Sequence, residues 1–126
     1  MDVNKITEQV IGAAMEVHRS LGPGLLETVY EECLCHELTL RDVKFVRQHR
    51  LPVQYKNIRL DCGYRIDLLV EDEVVVELKA VEILTPLHDA QLLSYLRSGN
   101  WKIGLLINFN VPVLKHGIRR KVLNLN

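Results

Sequence analysis

Apolar residues recur at every third or fourth position from Asn4 to Leu21, with Ile6, Val10, Ala14, Val17 and Leu21 on one side and Glu8, Glu16 and Arg19 turned elsewhere. This spacing predicts an amphipathic helix. Gly22-Pro23-Gly24 ends it, because glycine accepts positive φ and proline removes a donor. A second helix is expected from Leu25 to about Leu40, burying Leu26, Val29, Cys33 and Leu38. The period then shortens to two, predicting strands over Lys44–Gln48, Leu51–Tyr55, Ile58–Asp61, Tyr64–Val70 and Val74–Lys79. Thr85 caps a third helix, with Pro86 at its first position and Gly99 just past its end. Lys102–Asn108 reads as a buried strand and Gly117–Leu123 as a short edge strand. This order predicts an α/β fold with helices around one sheet.

Composition narrows the classes. A chain of 126 residues with 48% hydrophobic and 25% charged content fits one domain, 1–126, and excludes default disorder. Sixteen basic residues balance sixteen acidic ones, so any hold on nucleic acid or an anionic membrane must be local. Apolar runs such as Leu105-Leu106-Ile107 are far short of the roughly 18 residues of a membrane helix, so no membrane partner is expected. Cys33, Cys35 and Cys62 cannot pair completely and the N-terminus lacks signal-peptide order, which predicts a reduced, cytoplasmic protein. Charge is uneven: Lys102, Lys115, Arg119, Arg120 and Lys121 follow Trp101 without an acid, whereas Glu71, Asp72, Glu73, Glu77 and Glu82 crowd the middle.

The strongest chemistry lies in one hairpin. Alternation puts Tyr64, Ile66, Leu68 and Val70 on one face and Arg65, Asp67 and Leu69 on the other. If Glu71-Asp72-Glu73 is the loop and Val70 faces Val74, Asp67 stands opposite Glu77, with Cβ atoms about 5 Å apart. Like charges so close need a proton or a cation between them. Oxygen ligands suit Mg²⁺, with Mn²⁺ as a substitute. Lys79 emerges beside Glu77, where an ammonium can orient water and offset charge on a phosphorane. The alternative is a solvated hairpin face on which Lys79 neutralises a carboxylate. Two further segments can reach a common cleft: Gln91 with Tyr95 on the third helix, and Glu27 with Tyr30 on the second.

Gly24-x-x-Glu27-x-x-Tyr30, then Asp67, Glu77-Leu78-Lys79 and Gln91-x-x-x-Tyr95, resembles the GxxExxY proteins, a RecB-like branch of the PD-(D/E)XK nuclease superfamily. The resemblance runs from about Val17-His18 to Gly117-Ile118. It implies a restriction-endonuclease-like core, a central mixed β-sheet flanked by α-helices. It further implies that Asp67, Glu77 and the Leu78 carbonyl ligate the metal, joined by Glu27 from the helical segment. Lys79 is the implied catalytic lysine, and Gln91 with Tyr95 the motif that positions the site and the nucleic-acid backbone. Ile66 stands where the superfamily's name has proline. Some RecB-like relatives carry a four-cysteine iron–sulfur cluster; three cysteines cannot supply it, so no cluster is expected.

Other residues have two readings each. His18 either complements the helix dipole or reaches the metal or a phosphate, and His88 is either solvent-facing or near phosphate. Tyr30 either packs the second helix or takes part in catalysis. Arg119-Arg120-Lys121 either binds a DNA backbone or guards an edge strand, and Trp101 is a packing anchor. The leading expectation is a Mg²⁺-dependent nuclease hydrolysing DNA at a local site. Its rival is a catalytically inactive nuclease-fold module for binding or homodimerisation. A third reading places the same ligands in an enzyme for another phosphate ester.

Overall fold

Asp2 caps the first helix by accepting the Lys5 N–H at 3.0 Å, and the apolar stripe then runs as α1 over Val3–Leu21. The computed structural model describes residues 1–123, so the expected unit 1–126 ends three residues outside the described ones. After α1 come α2 (Glu27–Leu40), β1 (Phe45–Tyr55), β2 (Ile58–Val70), β3 (Val74–Lys79), α3 (Pro86–Gly99), β4 (Ile103–Asn108) and β5 (Ile118–Val122), the last preceded by a 3-10 turn at Leu114–Gly117. The strands lie in the order β1-β2-β3-β4-β5. Every neighbouring pair is antiparallel except β3 with β4, which are parallel and joined by the α3 crossover. This is the expected mixed sheet with helices on both sides. One apolar layer packs α1 and α2 on Leu68, Val70, Val76, Leu78 and Leu105; the other packs α3 on Ile66, Leu69, Val75 and Leu106. Among the described residues no helix is long and apolar enough to cross a membrane.

Several expectations are corrected. The second helix starts at Glu27, after an extended Leu26, and buries Tyr30, Leu34, Cys35 and Leu38. Leu26 is 73% exposed and Val29 38%, because Tyr30 sets the rotation of the helix. Its hydroxyl donates to the Gly22 carbonyl at 2.6 Å and accepts the Leu25 N–H at 3.2 Å, and its ring stacks on Phe109 at 4.5 Å. Tyr30 therefore packs the turn and helix onto the sheet, the first of its two readings. Leu21, counted on the α1 stripe, is partly exposed, since the chain is already leaving the core at Gly22.

The four short strands expected between Lys44 and Val70 fuse into two long ones, joined by a two-residue turn in which Lys56 takes φ 52°. A register shift between Leu51 and Val53 absorbs Pro52, which has no amide to donate. Across from it a Cβ on Gly63 would lie 2.6 Å from Val53 Cγ2 and 2.8 Å from the Leu51 carbonyl, so only glycine fits the close approach. Gly99 is the last residue of α3 rather than beyond it; left-handed Asn100 ends the helix, and the Trp101 ring occupies the space of a Gly99 side chain. Trp101 is the expected anchor, edge-on to His49 at 6.0 Å.

The alternation along β2 also breaks. Tyr64 and Ile66 belong to the α3 side, whereas Leu68 and Val70 belong to the α1/α2 side, with Asp67 at the change. The register carries Gln48 of β1 past the same point with φ 50°, so both strands change face together there. As a first prediction, Tyr30→Phe keeps the ring stacking but strands the half-buried Gly22 carbonyl and the Leu25 N–H. Urea unfolding should show a loss of about 1–3 kcal/mol, and an unchanged midpoint would sink the role given to the hydroxyl.

Candidate active site

The β2–β3 turn forms as expected, with Glu71 and Asp72 left-handed and Val70 paired with Val74. The ladder ends at Leu68–Val76, one pair short of Asp67 opposite Glu77. Beyond it the strands part and the two carboxylates enter the gap. Glu77 Oε2 accepts the Asp67 N–H at 2.7 Å, and Asp67 Oδ2 accepts the Leu78 N–H at 2.8 Å. Each acid thus satisfies a backbone donor on the opposite strand. The expected direct opposition becomes a reciprocal clasp because the face change at Asp67 turns β2 away from β3.

Burial makes this clasp electrostatically costly. Glu77 is only 5% exposed, and desolvation with the neighbouring Asp67 charge pushes its carboxyl up to about 8. Burial also raises Asp67, against the Leu78 N–H, which favours its charged form. Glu27, in the first turn of α2, is raised by burial and by Asp67 while Lys79 and the Ala80 N–H act the other way. Tyr95 is pushed up to about 12 by burial and by the Glu77 and Asp67 charges. Glu27, Asp67, Glu77, Lys79 and Tyr95 therefore share one electrostatic environment. Lys79 and Gln91 line one cleft of about 440 Å³ with Tyr64, His88 and Ser94. Tyr95 is buried behind that cleft, its ring 4.8 Å from Tyr64.

His88 lines the cleft while its Nδ1 accepts the Thr85 N–H at 3.0 Å and completes the cap of α3, which leaves Nε2 as its donor. His18 takes no part in the site: it stands in the last turn of α1, where its helix-dipole reading places it, and its Nε2 donates to the Val111 carbonyl at 2.8 Å. Arg119 pairs with Asp89 at 2.5 Å, Lys121 with Asp89 at 3.3 Å, and Arg120 bonds Asn4 Oδ1 at 2.8 Å. That basic run ties the edge strand β5 to α3 and α1, with Arg120 still exposed.

Two residues escaped the sequence reading. Gln48 Nε2 donates to Glu31 Oε1 at 2.9 Å and approaches Asp67 Oδ1 at 3.4 Å, while Glu31 and Glu32 both bind Arg47 Nη2 at 2.8 Å. The Arg47 guanidinium holds Glu32 below the usual carboxylate range. The only signal available for them was positional, Glu31 one turn after Glu27 and Gln48 across the register from Asp67.

The donor set suits a hard divalent ion in kind: three carboxylates on Glu27, Asp67 and Glu77, the Leu78 carbonyl, and no thiol or imidazole. As they stand, the carboxylates turn onto backbone N–H groups, and among the described residues no three acid, histidine or cysteine side chains converge closely enough to enclose an ion. Each of Asp67 and Glu77 nevertheless keeps one oxygen outside the clasp.

A mixed sheet with a carboxylate on β2 and Glu-x-Lys on β3 is consistent with a restriction-endonuclease-like core. A family model of the PD-(D/E)XK nuclease superfamily matches residues 4–121, and the chain belongs to that superfamily. No curated protein and no solved structure matches significantly.

The Glu77 shift generates a prediction with a definite sign. Its folded value lies above the unfolded one, so the fold holds the proton that the unfolded chain releases, and stability falls as pH rises from about 4.5 through about 8. Thermal melts of metal-free protein should drop across that window. Glu77→Gln, which still accepts the Asp67 N–H, should flatten the trend and raise the pH 8 melting temperature by roughly several degrees. A wild-type melt that rises over the same window contradicts the assignment.

Proposed function

We propose that this chain is one nuclease domain of the GxxExxY branch, hydrolysing phosphodiester bonds of DNA with Mg²⁺, for which Mn²⁺ substitutes, and without an iron–sulfur cluster. The observation that carries the reading is Lys79, which opens into the cleft with Gln91 from the same strand that buries Glu77 against Asp67. Glu27, Asp67, Glu77 and the Leu78 carbonyl would hold the ion. When bound, Mg²⁺ supplies Lewis-acid polarisation of the phosphoryl group and a more acidic water.

The protein's own groups do the rest. Lys79 orients the attacking water and offsets the charge that builds on the phosphorus oxygens. Gln91, on the helix across the cleft, binds a non-bridging phosphate oxygen through its amide. Tyr95 walls the site and keeps its phenol protonated, in line with its raised value. Water oxygen bonds to phosphorus as the bond to the leaving sugar oxygen breaks; the attacking water gives up one proton to solvent and the leaving oxygen takes one back from it. The free Cys33, Cys35 and Cys62 suit a reducing, cytoplasmic setting.

One observation favours a second reading, an inactive module that binds or dimerises: the carboxylates are committed to backbone donors. A plasmid-nicking assay in Mg²⁺ or Mn²⁺ separates the two. Nicking that falls by about 10²-fold or more in Lys79→Ala supports the nuclease. Nicking that Lys79→Ala leaves untouched rejects the mechanism, and absence of nicking together with absence of ion uptake in calorimetry favours the module.

A further inference from the structure

From Val43 to Ile66 the chain carries Lys44, Arg47, Arg50, Lys56, Arg59 and Arg65 against a single acid, Asp61, although the whole sequence is neutral. Half of this charge is already engaged. Arg47 binds Glu31 and Glu32, Arg59 binds Asp61 at 3.3 Å, and the Lys56 ammonium sits 5.4 Å from the Tyr55 ring. Besides Lys44 at the start of the segment, Arg50 and Arg65 remain. They are direct cross-strand partners on β1 and β2, both exposed, and among the described residues neither has an acidic partner.

Directly opposed like charges, with Cβ atoms about 5 Å apart, destabilise a sheet unless an anion sits between them. Two guanidinium forks at that spacing suit the tetrahedral oxygens of a phosphodiester. Their position ties them to the cleft. Arg65 is two residues, about 7 Å of strand, from Asp67. Tyr64, next to Arg65, lines both the cleft with Lys79 and a smaller cavity of about 120 Å³ with Arg50, Arg65 and Asp61, whose carboxylate is paired with Arg59.

We propose that Arg50 and Arg65 together grip a backbone phosphate of a nucleic-acid strand, beside the phosphate that is cut, so that the β1–β2 arm docks the substrate. This rests on the nuclease reading for the word substrate, but the phosphate grip itself can be measured without cleavage. In this way a neutral protein acquires the local anion site that its overall charge denies it.

The test uses the full chain in EDTA, with fluorescence anisotropy of a labelled 20-nucleotide single strand and of its duplex from 25 to 200 mM KCl. Arg50→Ala/Arg65→Ala should weaken the better-bound form about tenfold or more at low salt and reduce the salt slope by about 1–2, the loss of one or two neutralised phosphates. Because opposed charges are removed, its melting temperature should stay equal or rise. Unchanged affinity and slope, a clear drop in melting temperature, or no binding of either form by wild type overturns the grip. Arm-dependent binding without any cleavage in Mg²⁺ or Mn²⁺ upholds the grip while the nuclease reading fails. Wild-type cleavage with an unchanged KM in the double variant does the reverse.

Discussion

The organising constraint is the parting of β2 from β3. Where two strands diverge inside a protein, their N–H groups lose ladder partners, and a buried donor left unpaired costs about as much as a lost hydrogen bond. Here the donors are those of Asp67 and Leu78, and the acceptors that replace the ladder are the carboxylates of Glu77 and Asp67. The same two contacts therefore hold the fork open and draw two acids out of water. Fold stability and the reactivity of the site are set by one geometry.

Around the fork, each supporting element fixes one wall. Tyr30 locks the Gly-Pro-Gly turn and with it the start of α2, where Glu27 stands. Buried Asn108 accepts the Val81 N–H at 3.1 Å and donates to the Val81 carbonyl at 2.9 Å, so the chain leaving β3 is pinned to β4 just beyond Lys79. Arg119 reaches from β5 to Asp89 in the first turn of α3, the helix that carries Gln91. On the other flank Gln48 takes a left-handed backbone, a cost of order 1–3 kcal/mol for a non-glycine residue, while its amide sits between Glu31 and Asp67.

What the sequence revealed follows from the range of the forces involved. Helices and strands were legible because periodicity is local: α1, β3 and β4 lie where their patterns put them, and the hairpin loop returned the Val70–Val74 pair. Faces set by distant contacts were not. The side of α2 that is buried depends on a hydroxyl reaching back to Gly22, and the face change in β2 depends on a backbone twist shared with Gln48, for which glutamine gives no signal. The basic run at Arg119 looked available because its partners, Asp89 and Asn4, are 30 and 116 residues away. The site residues became legible together through a family resemblance, since Asp with Glu-x-Lys is a loose pattern by itself.

Hydrogen bonding alone does not account for acids at the fork. Asparagine at 67 and glutamine at 77 would accept the same two N–H bonds without a charge to desolvate, so the clasp needs acceptors but not carboxylates. Nor does an adjacent base neutralise them directly: Lys79 acts on both through space, while Glu27 adds a third acid from α2. Without an ion the conflict is relieved at neutral pH by a proton held on Glu77, and a cation sharing the gap would take that proton's place. The acid at the fork beyond what the backbone requires is thus what the proposed divalent ion would make use of.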